Sequence, residues 1–241
     1  MSRAAVRLVT FDVGGTLIHP RPSVGAVYSE VLSRRGFPAD PVATERAFEE
    51  AWDLSARQVP PSRERYSWSP EGERGYWRRL LAETVRRMGG SEPPAGAAEE
   101  LFERFGHRET WRVYPDVEST LSTLASRGIP MAVLSNWDSR LPALLRELGI
   151  RHYFGPILVS ALEGYEKPDP RIFHLAAERA GVSPRQVLHA GDRDLEDMEG
   201  ARRSGCLGVK IDRNGGRGEG LAAVLRRIED GAGPGRREEP S

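Results

Sequence analysis

The chain is 241 residues long, enough for one domain or for a core with an insertion, and its 35 basic and 35 acidic side chains cancel to a net charge of zero. That balance argues against nucleic acid or an anionic membrane as an obligate partner, and no apolar run approaches the length of a membrane span. The single cysteine, Cys206, rules out an internal disulfide or a thiolate metal cluster, and Met1-Ser2-Arg3 leads into a strand with no signal-peptide pattern, so a cytoplasmic location is expected.

In chain order, residues 6–11 form a β-branched and aromatic run that predicts a buried strand, and Asp12-Val13-Gly14-Gly15-Thr16-Leu17 follows at its C-terminal end. Ligands bind at that end of a parallel sheet, and glycines there let the backbone bend and approach a ligand. Residues 19–110 interrupt the pattern. They hold helical periodicity, with Val24, Val27, Tyr28, Val31 and Leu32 and later Tyr76, Trp77, Leu80, Leu81 and Val85, and no convincing strand. Trp52, Tyr66, Trp68, Tyr76 and Trp77 fall in this segment and read mainly as its core, with one or two at a cleft. Residues 58–75, polar and containing Pro60-Pro61, read as a loop, and 91–97 as a second linker. His19, at the start of the segment, reads as structural.

Beyond the interruption, strands are expected at 130–134, 156–160, 187–190 and 207–211. Helices are expected at 116–127, 139–147 with Asp138 as its cap, 170 to about 181 capped by Asp169, a short one from Ser183-Pro184, and 194–204. Alternation of this kind predicts a parallel sheet with helices on both faces. Cys206, just before the last strand, reads as a small buried hydrophobe. After residue 211 come a glycine-rich turn, a short helix at 221–228 and a polar tail, 231–241, expected to be disordered.

Three further segments place polar groups where apolar runs end: Val133-Leu134-Ser135-Asn136, Glu166-Lys167-Pro168-Asp169-Pro170, and His189-Ala190-Gly191-Asp192 with Asp197 five residues on. If their strands are parallel neighbours, Asp12, Ser135 and Asp192 meet at one sheet edge within reach of Lys167. Carboxylates, a hydroxyl and one ammonium so placed suit magnesium-assisted phosphoryl transfer. Lys167 is one of only two lysines beside 33 arginines, so a compact point charge stands there in a chain that otherwise uses the planar fork.

In this order DVGGT, LSN, EKPDP and GDRDLED resemble the four motifs of the haloacid dehalogenase superfamily of hydrolases, over about residues 6–212. TWRVYPDVESTL, SNWDSRL and KPDPRIF resemble one group within it. The resemblance implies a Rossmann-like α/β core (1–18 and 111–230), an inserted helical cap (19–110), Mg2+ as cofactor and a small phosphorylated metabolite as substrate. It implies Asp12 as nucleophile and metal ligand, the Gly14 carbonyl and Asp192 as further ligands, and Lys167 as the balancing cation. Ser135, Asn136 and Gly15 are then expected at the phosphoryl group. Asp197 would bind the metal through water or orient Lys167, and Asp194 would face either the helix dipole or the metal's outer sphere.

One position departs from the pattern. The usual second aspartate, which protonates the leaving oxygen, is Gly14 here. Three outcomes follow: substrates with good leaving groups, such as acyl or aryl phosphates; a proton from a cap residue or water; or turnover too slow to matter, leaving a phosphate-binding module. Dehalogenation also needs no such acid, but it uses no metal and gives the GDRDLED carboxylates no purpose. A carbon–phosphorus hydrolase of the superfamily relies on a cap lysine, and 19–110 contains none.

Overall fold

The computed structural model describes residues 5–60, 63–213 and 220–232. Five parallel strands form the sheet, in the order β5-β4-β1-β6-β7. They are β1 (Leu8–Phe11), β4 (Met131–Ser135), β5 (Ile157–Val159), β6 (Val187–Gly191) and β7 (Leu207–Lys210). β1, β4 and β6 are buried along their whole length, which explains their continuous apolar runs: helices cover both faces. Val9 and Phe11 of β1 pack on one face with Leu121, Leu124, Leu144 and Leu145, whereas Leu8 packs on the other with Ile172, Phe173 and Ala176. The expected α/β core with a parallel sheet is thus present.

Between β1 and β4 the chain runs through α1 (Val24–Arg34), α2 (Pro41–Gln58), α3 (Arg65–Trp68), α4 (Gly72–Arg87) and α5 (Ala97–Arg104). These helices hold two apolar clusters of their own, one around Val31, Leu81 and Leu101 and one around Ala51, Tyr66 and Leu80. The chain leaves and re-enters the core through an antiparallel pair, β2 (Ile18–Pro20) with β3 (Trp111–Val113). With three residues on each side, this ribbon is too short to show any alternation in the sequence. His19 lies on it, stacked on Tyr114 at 4.7 Å between ring centroids.

The second half adds α6 (Val117–Ser126), α7 (Leu141–Glu147), α8 (Ser160–Glu163), α9 (Pro170–Arg179), α10 (Gly200–Arg203) and α11 (Ala222–Ala232). Several boundaries differ from expectation. Residues 58–75 are not one loop, because Glu64 caps α3 by accepting from the amides of Tyr66 and Ser67, and α4 begins at Gly72. The 194–204 segment is a π-helical turn, Asp194–Glu199, followed by α10. α7 starts two residues later than expected, and 184–186 is only a 3-10 turn. The glycine-rich turn at 214–219 and the tail from 233 lie outside the described residues, while α11 runs on to Ala232. Among the described residues, no helix is long and apolar enough to cross a membrane.

Candidate active site

The strand order β4-β1-β6 brings the ends of three parallel strands together, so Ser135, Asp12 and Asp192 converge from positions up to 180 residues apart. The Ser135 hydroxyl donates to Asp12 Oδ1 at 2.9 Å, and Lys167 Nζ donates to the same oxygen at 2.7 Å. Among the described residues no hydrogen bond reaches Asp12 Oδ2, and Asp12 lines a cavity of about 470 Å3. One carboxylate oxygen is therefore held and the other is available.

Lys167 is buried, and its ammonium also donates to Asp197 Oδ1 at 2.6 Å. Burial disfavours that charge, but the Asp12 and Asp197 carboxylates outweigh it and hold the lysine pKa above its ordinary value. Asp197 is pulled the opposite way. Burial would raise it, and the neighbouring Lys167 and a hydrogen bond from His189 bring it well below the carboxylate range. Its Oδ2 accepts from the Arg193 amide at 2.8 Å. Both oxygens of Asp197 are thus engaged by protein, one of them by the Lys167 ammonium. Asp194, the other candidate there, is 90% exposed in its side chain and pairs with Lys210 on the surface.

Asn136 lines the cavity beside Asp12, and its side chain has a further task. Its amide nitrogen donates to the Lys167 carbonyl at 2.8 Å and its amide oxygen accepts from the Lys167 N–H at 2.7 Å. This two-point clamp fixes the backbone that carries the ammonium. Asp138 also differs from a simple helix cap. It is fully buried, accepts from the Trp77 indole N–H at 2.8 Å and pairs with Arg140, tying α4 to the core.

Carboxylate oxygens of Asp12, Asp192 and Asp197 lie within 4.8 Å of one another. Burial, and then the charges of Asp12 and Asp197, push the Asp192 carboxyl up to about 7. Asp12 is likewise raised, chiefly by burial. One ammonium does not neutralise this cluster, and an all-oxygen donor set with excess negative charge fits a hard divalent cation. Asp12, Asp192 and the Gly14 carbonyl, to which no described group donates a hydrogen bond, could hold it. Gly15 makes the arrangement possible: its φ is 74°, and a Cβ there would stand 2.6 Å from Asp192 Oδ2.

Several contributors carried no sequence signal. His189 is fully buried, with Nδ1 2.9 Å from the Thr10 hydroxyl and Nε2 2.9 Å from Asp197 Oδ1. Burial lowers its pKa, so the neutral ring with its proton on Nε2 satisfies both contacts. Arg65 of α3 is buried and reaches Glu166, the residue before Lys167, with Nε 2.8 Å from Oε2. Only an alternation of strand end and helix was readable here; a pairing 101 residues apart was not. The cleft aromatics are more numerous than expected, since Trp52, Tyr66 and Trp77 line the cavity together with Trp111 and Trp137.

A carboxylate at the first strand end, bound to a buried lysine and facing a second acidic strand end, is the arrangement of the haloacid dehalogenase-like hydrolases. The family profile of that description matches residues 6–205, and the chain belongs to this family. Within it the chain is similar to human haloacid dehalogenase-like hydrolase domain-containing protein 3, 35% identical over 206 residues that cover 84% of this chain and 80% of the relative. It is also 29% identical over 231 residues to a phosphoserine phosphatase of Thermus thermophilus, covering 86% of this chain and 89% of that one. Among solved structures, an L-2-haloacid dehalogenase from Xanthobacter autotrophicus superposes with a TM-score of 0.66 at 23% identity, covering 92% of this chain and 83% of the other. That likeness shows the fold alone.

Proposed function

We propose that the chain is a Mg2+-dependent phosphohydrolase that cleaves small phosphate monoesters through an aspartyl-phosphate on Asp12, with residues 19–110 acting as a cap over the site. The observation that carries the reading is the asymmetry of Asp12, whose Oδ1 is held by Lys167 and Ser135 while Oδ2 is left for attack. A phosphatase-named relative supports the same class of substrate.

Asp12, Asp192 and the Gly14 carbonyl would hold Mg2+, which would supply charge neutralisation to the phosphoryl oxygens. Asp12 Oδ2 attacks phosphorus, the ester P–O bond breaks with its electron pair going to the leaving oxygen, and that oxygen takes a proton from water. Water then attacks the phosphorus of the aspartyl-phosphate, returning the Asp12 carboxylate and releasing inorganic phosphate. Throughout, Lys167 balances charge on Asp12 and on the transferring group, and Asp197 and Asn136 keep it in place. Gly15 and Ser135, at the cavity floor, would approach the phosphoryl oxygens. Displacement of halide needs no cation and would leave the paired negative charges of Asp12 and Asp192 without a counter-ion between them.

The test is phosphate release from a panel of phosphate monoesters with and without Mg2+, beside Asp12→Asn. Metal-dependent release that Asp12→Asn abolishes is the expected result. Release that survives Asp12→Asn, or none from any ester, overturns the reading.

A further inference from the structure

Resting on the phosphohydrolase reading, we infer that the alcohol released is a flat aromatic one that carries no negative charge of its own. Three features converge on this class of leaving group.

The first is position 14. A Cβ on Gly14 would meet the Trp137 ring at 3.1 Å, so the indole covers the place where an acid two residues after the nucleophile would stand. Without that donor the leaving oxygen departs as an anion or takes its proton from water. This favours alcohols whose anions are stable, aromatic ones above alkyl ones.

The second is the wall. Trp52, Tyr66 and Trp77 from the insertion and Trp111 and Trp137 from the core line the same cavity as Asp12. Trp137 packs against Trp111 at 5.1 Å and Trp77 against Tyr66 at 6.2 Å between ring centroids, so the walls are rigid planar surfaces. A flat ring stacks on such surfaces and a flexible alkyl chain does so less well.

The third is the placing of charge. The segment 19–110 contains fourteen arginines, and none of them lines the cavity. Instead Arg34 and Arg35 pair with Glu100, Arg74 with Glu103, Arg78 with Glu71 and Glu99, and Arg87 with Glu50, all away from it. The charges that this segment does present are Glu45, Glu49 and Asp53, one helical turn apart along α2. Glu45 accepts from the Gly25 amide, while Glu49 and Asp53 have no partner among the described residues. The core adds Arg140, already paired with Asp138, and Arg193, 4.0 Å from Asp192. A second anionic group on the substrate would therefore lie against carboxylates with no free cation from the cap to receive it.

The experiment measures binding to the wild-type full chain with Mg2+ by calorimetry, using phenylphosphonate, butylphosphonate and 4-carboxyphenylphosphonate as non-hydrolysable probes. Phenylphosphonate is expected to bind about tenfold more tightly than butylphosphonate. The carboxylated ring is expected to bind more weakly than phenylphosphonate. That gap should narrow about two- to fivefold in Glu49→Gln/Asp53→Asn and in high salt. Equal binding of the phenyl and butyl probes, or a carboxylate gap absent or unmoved by the double variant, overturns the inference. The phosphohydrolase reading fails separately, by absence of phosphate release from every ester while the phenylphosphonate preference remains. Where release does occur, kcat/KM is expected to climb steeply as the leaving alcohol becomes more acidic. A flat dependence would show that a side chain delivers the proton and would overturn the aromatic assignment.

Discussion

The floor of the cavity and its walls treat charge in opposite ways. On the floor, Lys167, Asp12, Asp197, His189 and Thr10 form one continuous run of buried hydrogen bonds that leaves Asp12 Oδ2 open to the cavity. On the walls, aromatic rings face inward, and the arginines of the same helices turn outward to glutamates at the surface. The floor is built to hold a reaction in one geometry. The walls are built to choose what enters, and because their carboxylates lie toward solvent they do so with weak, additive preferences rather than with an interlocked network. Substitutions on the floor should therefore be severe and coupled, and those on the walls graded and separable.

The largest effect should come from the nucleophile, where Asp12→Asn is expected to lower phosphate release about a thousandfold or more. Next is Lys167→Met, which leaves the Asp12 and Asp197 carboxylates buried without their cation. Turnover should fall about a hundredfold or more, and stability by about 3–5 kcal/mol, read by denaturant unfolding. A Lys167→Met protein as stable as wild type would mean that the floor is not interlocked.

Gly14→Asp tests the border between floor and wall. Alone it meets the Trp137 ring and should gain little, whereas Gly14→Asp/Trp137→Val makes room for the acid. The double variant is expected to raise kcat for alkyl phosphates about tenfold over Trp137→Val alone. No gain in the double variant would show that a proton already arrives by another route.

The smallest effect concerns pH. The Asp192 carboxyl is raised to about 7, by burial first and then by Asp12 and Asp197. A carboxyl raised on folding stabilises the metal-free protein at low pH, and that contribution is lost as pH rises through about 7. Mg2+ binds the ionised form, so the rise in Tm on adding Mg2+ should be larger at pH 8 than at pH 6. Equal increments at the two values would remove Asp192 from the metal site.

The same division decides how much could be read from the sequence. Asp12, Ser135 and Asp192 each end a strand-like run, and β1, β4 and β6 are buried on both faces, so their apolar runs are unmistakable and the polar residue that ends each one stands out. Lys167 was marked by its rarity. Asn136 was found, but its bond to the Lys167 backbone was not, because a clamp 31 residues away leaves no trace in local pattern. The walls were the least legible. Periodicity in α2 and α4 shows that a face is apolar and cannot say whether that face meets a core or a cleft, so Trp52 and Trp77 looked like packing residues. The α3 turn was hidden in a polar stretch because its stabilising partners, Glu166 and Ser160, belong to the other half of the chain.

One of those partnerships ties entry to readiness. Glu166 precedes Lys167 in the chain, and its carboxylate is the anchor for the buried Arg65 guanidinium. Any motion that lifts α3 off the core must rehydrate both charges at once and, in the same act, release the backbone next to the lysine that holds the nucleophile. Door and trigger share a hinge pin: with the helices seated the ammonium is aimed from both sides, and with them raised the segment that aims it keeps only the Asn136 clamp.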